Sequence, residues 1–517
     1  MKASPDSRRQ PRPAAKRSAW LFAKPLFVAV TTAALYLAGS SIASADFIDA
    51  YKKYREGKFA EASTEFTALA ELGSGAAQFN LGAMAARGEG QEKNPGTGVG
   101  WMQAAAENGY PQLSAAQIAD FRSKLTPAQL AEADMIVARY GRKALEERVF
   151  PGRMGTTCRQ FRPASREQYA EPIFPPDAAA KDQDGVVMVE FTVGLDGLAR
   201  DPHVIADLPS GIFDDVTIDA ALKSRFKPAT RDGQPVVSRM TMHMTFTNQG
   251  GDLWQLKSVR KIQLAADERN PYAEYIIGLI GSLDKTLNVP QEKARAMLLS
   301  SAQAGVPQAQ YWISRELIAE ELCGHPEKMV LWLSNAAKGG DPAAQVELVH
   351  LRSGAANAGE TNELRKMLVA AVGQNNRYAL KHAAALFAMS PIAELRDGDL
   401  ALKAANKLRR MSGSLDPHID EAIAAAYGAN GMYREARRFQ ESAIDKAHEL
   451  FWNTSKMNLR LATYAEGRPA TGDIFDVPVA DMPLPPVRNK LEDCTQKRRG
   501  CGRSPDGDRT PTGSFLK

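Results

Sequence analysis

Cysteine, histidine, excess charge and long apolar runs are all scarce in this sequence, and each scarcity closes off a class of protein. Among 517 residues there are four cysteines and seven histidines. Zinc needs about four ligands held together, and Cys323-Gly324-His325 has no second Cys or His pair nearby, so no metal site is expected. A mean hydropathy of -0.33 leaves little room for repeated membrane spans. The formal charge of +5 is concentrated at the start, where residues 1–45 hold Lys2, Arg8, Arg9, Arg12, Lys16, Arg17 and Lys24 against Asp6; the remainder carries about -1. Without a basic footprint the chain lacks what phosphate-backbone binding requires, so nucleic acid is not expected as a partner. Catalytic signatures are missing too. No G-x-S-x-G, H-E-x-x-H, P-loop or Cys/His nucleophile arrangement occurs, and Ser224 and Ser455-Lys456 stand in no such context. The pair Asp214-Asp215 is explained by a helix start, where the dipole favours negative charge. No catalytic residue, cofactor-binding residue or metal ligand is assigned, and an enzyme is not expected.

What is present begins with a leader. A basic stretch to Lys24 precedes the apolar run Leu26 to Gly39, and small residues then lead to Ala43-Ser44-Ala45 before Asp46, an A-x-A cleavage pattern. The run is about 14 residues where a spanning helix needs about 20, which predicts a cleaved secretory signal and a periplasmic protein starting at Asp46. Stretched from Pro25 to Ala45 it just reaches a span, so an anchor in the inner membrane, facing the periplasm, is the alternative. Export permits disulfides. Cys494 and Cys501 flank a polar stretch and could close a small loop, the alternative being four unpaired thiols, Cys158 and Cys323 included.

At this length two to four folding units are expected. Residues 46–150 read as helices rich in Ala and Leu. Gly75-Ala76-Ala77-Gln78-Phe79-Asn80-Leu81-Gly82, then Gly88-Glu89-Gly90, Trp101, Ala104-Ala105 and Gly109 resemble a Sel-like repeat, a relative of the tetratricopeptide repeat that pairs two antiparallel helices. Lys58-Phe59-Ala60-Glu61-Ala62 with Phe66 resembles the second helix of a tetratricopeptide unit. The pattern returns over 265–470: Ala302 to Gln310 recurs as Ala336 to Gln345 and again from Ala370 to Ala379, with Pro307 and Pro342 35 residues apart. A last unit, Ala425 to Gly428 with Gly431, Tyr433 and Ala436, is closer to a tetratricopeptide repeat. Stacked helix pairs bury their apolar faces against neighbours, predicting a solenoid with a concave surface for peptides or protein partners. From Ile474 to the end, Pro483-Leu484-Pro485-Pro486 and scattered Gly and Asp predict a disordered tail over 474–517.

Between the arrays the period changes from helical to alternating. Val187, Val189, Phe191 and Val193 share a strand face before the hairpin signal Gly194-Leu195-Asp196-Gly197. A second strand follows to Ile205, then a helix ending near Ser224. Met240, Met242, Met244 and Phe246 alternate with Arg239, Thr241, His243 and Thr245, predicting a third strand with one buried face and His243 on the solvated one. The fold class is thus multidomain: α-helical solenoid repeats flanking a small α+β unit of order strand-strand-helix-strand.

Pro172-Ile173-Phe174-Pro175, Ala178, Gly185-Val186-Val187, Gly197, Phe226-Lys227-Pro228-Ala229 and Gly233-Gln234-Pro235-Val236 resemble the TonB C-terminal domain, over about residues 155–250. The resemblance implies a compact domain that contacts the periplasmic side of outer-membrane transporters, whose plug peptide adds as a strand. Main-chain hydrogen bonds at a sheet edge supply such affinity without demanding particular side chains. Carried over, it makes Pro172, Phe174 and Pro175 and the last-strand residues Arg239, Thr241, His243 and Thr245 partner-facing; the alternative for Phe174, Phe226 and Phe246 is core packing. The sequence departs from the family in having no Pro-rich spacer, no His in the apolar leader, and about 270 residues after the domain. A non-enzymatic envelope adaptor is therefore expected, with a membrane-anchored energy transducer in outer-membrane transport as the alternative and a cell-envelope enzyme third.

Overall fold

Helix starts in this chain are written as a short polar cap, often followed by proline. Ser74, Asn94, Ser114, Thr126, Asp341 and Asn376 each accept a backbone N–H of the first turn they precede, and proline stands just inside the helices Pro95–Glu107, Pro127–Tyr140 and Pro342–Arg352. The computed structural model describes residues 46–151, 161–247, 257–283, 289–321, 326–353, 358–411 and 413–475. Ala43, Ala45, Cys158, Cys323, Cys494 and Cys501 lie outside them. No helix among the described residues is long and apolar enough to cross a membrane.

The N-terminal array runs from helix Phe47–Arg55 to helix Arg142–Arg148. Its small residues allow close approach: a Cβ on Gly82 would lie 2.8 Å from the Gly98 carbonyl across the pair Gly75–Arg87 and Pro95–Glu107. Trp101 stacks on Tyr140 at 4.5 Å. The C-terminal array runs from Lys257–Asp267 to Ser455–Ala465, and three of its helices start at Pro307, Pro342 and Arg377, a constant step of 35 residues. One contact recurs across both arrays. Gln78, Gln310 and Gln345, each buried four residues after the helix cap, donate their side-chain amide at 3.1 Å to Ala70, Ala302 and Ala337 respectively. Each acceptor is a carbonyl in the last turn of the preceding helix, where it also accepts the backbone N–H of Gly73, Gly305 or Gly340 respectively.

The interposed domain has strands β1 (Phe161–Arg162), β2 (Ser165–Gln168), β3 (Gly185–Val193), β4 (Ala199–Leu208), β5 (Arg225–Lys227), β6 (Ala229–Arg231), β7 (Gln234–Val236) and β8 (Ser238–Phe246), with its long helix Asp214–Lys223 after β4. The three long strands form an antiparallel sheet of order β4-β3-β8, giving the expected strand-strand-helix-strand sequence. Pairing of β3 with β8 is unbroken from Gly185↔Phe246 to Val193↔Ser238, whereas β3 and β4 slip at two bulges. Val187, Val189, Phe191 and Val193 join Met242, Met244 and Phe246 over Phe213, Ile218 and Leu222.

The opposite face corrects the sequence reading. Instead of meeting solvent, Val186 and Met188 belong to a core that runs through Leu145 and Phe150 into the C-terminal array. Nearly all of β3 is buried, as expected for a strand covered on both sides. The arrays also meet each other: the Trp332 indole donates to Val149 O at 2.9 Å, Lys328 to Glu146 O and Phe150 O at 3.0 Å, and Phe47 N to Ala304 O at 3.0 Å. The last repeat closes on the helix side of the domain through Ile444, Leu450 and Trp452.

Candidate functional site

Two features of the domain can act on another molecule: the outer edge of β8 and the seam between the sheet and the C-terminal array. Among the described residues β8 pairs with β3 alone, so its far edge is that of a terminal strand with main-chain groups directed away from the sheet. Thr245 is exposed there, Thr241 and His243 are half-buried.

Arg239 goes elsewhere. Its guanidinium reaches Glu190 of β3 at 2.9 Å and Glu347 of helix Pro342–Arg352 at 3.0 Å, while Arg315 binds Glu347 at 2.7 Å and Glu190 at 3.3 Å. The hydroxyls of Tyr311 and Tyr378 donate to the same Glu347 carboxylate at 2.6 and 3.0 Å. Burial opposes ionisation of Glu347, but Arg239 and Arg315 outweigh it and hold the carboxyl down to about 2. The expectation that Arg239 faces a partner is therefore replaced by a role in fastening the sheet to the array.

A second cluster starts at the bulge in β4. Thr192 opposes Arg200 and Glu190 opposes His203, leaving Asp201 and Pro202 against one residue of β3. Asp201 takes φ 50° there, a conformation uncommon outside glycine, and a bulge of this kind re-aims a side chain. Its carboxylate meets Lys381 at 2.8 Å and His382 Nε2 at 3.0 Å. Lys381 also binds Asp416 at 2.7 Å. His382 Nδ1 in turn lies 2.9 Å from His350 Nε2, and the Phe475 ring stacks on His382 at 3.8 Å. Burial works against the Asp201 charge, but His382 and Lys381 hold its carboxyl well below the usual range. Burial, and then His382, push His350 down to about 4.

Between the clusters is a cavity of about 420 Å³. Its sheet wall is a single row, Arg200, Thr192 and Arg239, crossing all three long strands. Met329, Leu333 and Leu351 with His350, Tyr378 and His382 form the array wall, and Asp473 and Phe475 lie across it. Among the described residues no group of three or more His, Cys, Asp or Glu is arranged to hold a metal ion.

Residues 170–247 match the model of the Gram-negative bacterial TonB protein C-terminal family. This segment is a TonB C-terminal domain. Two solved structures are similar to the chain at low score: the antigen c5321 of uropathogenic Escherichia coli strains, displaying an SLR fold (13% identity, 82% of this chain and 72% of that one, TM-score 0.29), and a Sel1 repeat protein from Oxalobacter formigenes (14%, 71% and 100%, TM-score 0.25). The helical repeats stand on the helix geometry above, not on these likenesses. No curated protein matches the chain.

Within the TonB C-terminal domain, Phe174 packs edge-on against Phe213 at 5.6 Å and Phe246 at 6.0 Å, so core packing holds for it. Pro175 precedes the short helix Pro176–Ala180 as its cap residue, and Pro172 is half-buried. Asp46 caps helix Phe47–Arg55 and accepts a hydrogen bond from the Tyr272 hydroxyl at 3.1 Å. Sequence reasoning missed Glu190, Asp201, Glu347, His350 and His382. The available signals were a Glu inside the apolar run Gly185 to Val193 and Lys381-His382 inside the Ala-rich helix Arg377–Met389.

Proposed function

We propose that this chain is a non-enzymatic adaptor of the cell envelope that takes a protein partner, a short extended segment of an outer-membrane protein, onto the outer edge of β8. The observation that carries the reading is the position of β8 as a terminal strand of a TonB C-terminal domain, paired on one side only among the described residues. Strand addition at such an edge draws its affinity from the main chain and tolerates varied side chains. The helical arrays are packed against the other side of that sheet, so a partner bound at β8 is held rigidly against the repeats rather than on a tether. Export to the periplasm follows the leader pattern ending at Ala45, and retention of that leader would make the same domain a membrane-anchored energy transducer.

The test is photo-crosslinking from two exposed positions, Thr245 on β8 and Leu459 on helix Ser455–Ala465, in the native envelope. The adaptor reading expects an outer-membrane protein joined through one extended segment from Thr245 and not from Leu459. Equal yields from both positions would remove it. The mass of the native N-terminus separates the two locations: a chain starting at Asp46 is a free periplasmic protein, whereas a chain retaining residues 1–45 in the membrane fraction is an anchored transducer.

A further inference from the structure

The last described residues lay a side chain on the C-terminal array. After helix Ser455–Ala465 the backbone returns through the buried Ala470 and pivots at Gly472, where φ is 98° and a Cβ would meet nothing within 4 Å. Phe475 then enters a pocket walled by rings. It stacks on His382 at 3.8 Å, meets His418 and His350 edge-on at 5.2 and 6.0 Å, and has the Lys381 ammonium 5.7 Å from its centroid. The three histidines come from helices Pro342–Arg352, Arg377–Met389 and Pro417–Ala429, the second of which packs against the other two. Burial pushes both His350 and His418 down to about 4, so near pH 7 they are uncharged rings. Ring edges and an ammonium each attract the face of a phenyl group.

The segment that delivers the ring is short. Asp473 is exposed, and its carboxylate accepts Phe475 N at 2.8 Å, the turn that Asp or Asn makes with its own backbone two residues on. Ile474 is buried beside His418, Trp452 and Met457. Arg460, paired with Glu421 at 2.9 Å, donates to Asp473 O at 2.7 Å. Phe475 itself is half-buried, and with Asp473 it also lines the seam cavity. A turn, an aliphatic anchor and a ring seated among side chains of a helical array are what peptide recognition uses, here made by the chain with itself.

We propose that the pocket of His350, His382 and His418 is a recognition site for the aromatic side chain of a partner peptide, and that Asp473 to Phe475 is its resident plug. The partner fits by the same chemistry: Asp or Asn to make the turn, an aliphatic residue, then Phe. A tethered plug competes at an effective concentration of about millimolar, so the intact chain masks the site until a partner displaces the plug about Gly472. Its departure also opens the seam cavity to the partner's chain. The pocket is separate from the β8 edge, and either site can fail while the other stands.

The experiment is fluorescence anisotropy of a dye-labelled Gly-Asp-Ile-Phe amide, the chain's own sequence supplied in trans, with Gly-Asp-Ile-Ala amide as the ringless control. The full chain carrying Phe475→Ala is expected to bind the Phe peptide about tenfold or more tightly than the parent chain does, and about tenfold or more tightly than it binds the control. The Phe peptide should also raise the melting temperature of the variant towards that of the parent and shift the ring signals of His382 in NMR. Phe475→Leu, which keeps apolar volume without a ring, is the second variant and carries the same expectation. Equal binding of the Phe peptide by parent and variants, or variants that bind the two peptides alike, overturns the proposal. Failure of both variants to fold overturns it too, because a segment the fold requires is not an exchangeable plug.

Discussion

Gly197 ends the turn between β3 and β4 at φ 72°, and a Cβ there would meet the Phe226 carbonyl at 2.3 Å. Positive φ and a backbone collision act together, so Gly197→Ala is expected to cost about 1–3 kcal/mol from the backbone conformation alone, read as a shift of the urea midpoint. Asp341 is a residue whose function as a cap conflicts with its burial. It accepts Ala344 N at 2.8 Å, yet burial pushes its carboxyl up to about 7. The folded protein therefore holds a proton that the unfolded chain releases near pH 4. The resulting stability is fully present below about pH 4 and is lost as pH rises to about 7. Asparagine caps as well and does not ionise. Relative to the parent chain, Asp341→Asn should gain stability as pH rises from about 4 to about 7 and stay level above it, measured by melting temperature across that range.

The repeat unit is fastened by a side chain. Gln345 lies fully buried with its amide on Ala337 O, and Gln310 does the same for Ala302 O. Gln345→Ala removes this side-chain bond while Gly340 N still donates to Ala337 O, so the expected loss is that of one buried hydrogen bond, about 0.5–1.5 kcal/mol, in chemical denaturation. In the next repeat Leu380 stands at the same distance from its cap, Asn376, and the carbonyl eight residues before it, Val372 O, accepts Lys407 Nζ at 2.6 Å instead. Glycine pairs such as Gly82 and Gly98 set how closely the helices approach, and the glutamine ties the end of one helix to the start of the next.

For the whole molecule the decisive group is Glu347. It collects two guanidiniums and two phenol hydroxyls from the sheet and the array. Removing one member of a buried ion cluster leaves uncompensated charge, so Glu347→Ala is expected to destabilise by about 3–5 kcal/mol. The local signature should be faster amide exchange in β8 and in helix Pro342–Arg352 together, because the seam opens as a unit. Sign and window for acid are set by its lowered carboxyl: the Glu347 contribution is present above the ordinary Glu range of about 4.3 and is lost as pH falls through about 2. A pH titration of stability in which Glu347→Gln and the parent chain converge only at strongly acid pH is the expected result.

The repeat step and the strand-strand-helix-strand order were legible in the sequence because each is a local periodicity, fixed by which side chains a helix or strand turns toward its neighbours. The apolar run Gly185 to Val193 even carried the sign that β3 is covered on both faces, but alternation in Met240 to Phe246 suggested one solvated face. What only the tertiary structure decided is the seam. Asp201 and His382 are 181 positions apart and Arg239 and Glu347 108 apart, and no spacing rule links residues at such separations. A charge alone in a strand or an Ala-rich helix says that it must find a partner, since burying it unpaired is costly, but which partner it finds depends on how the folded arrays close over the sheet.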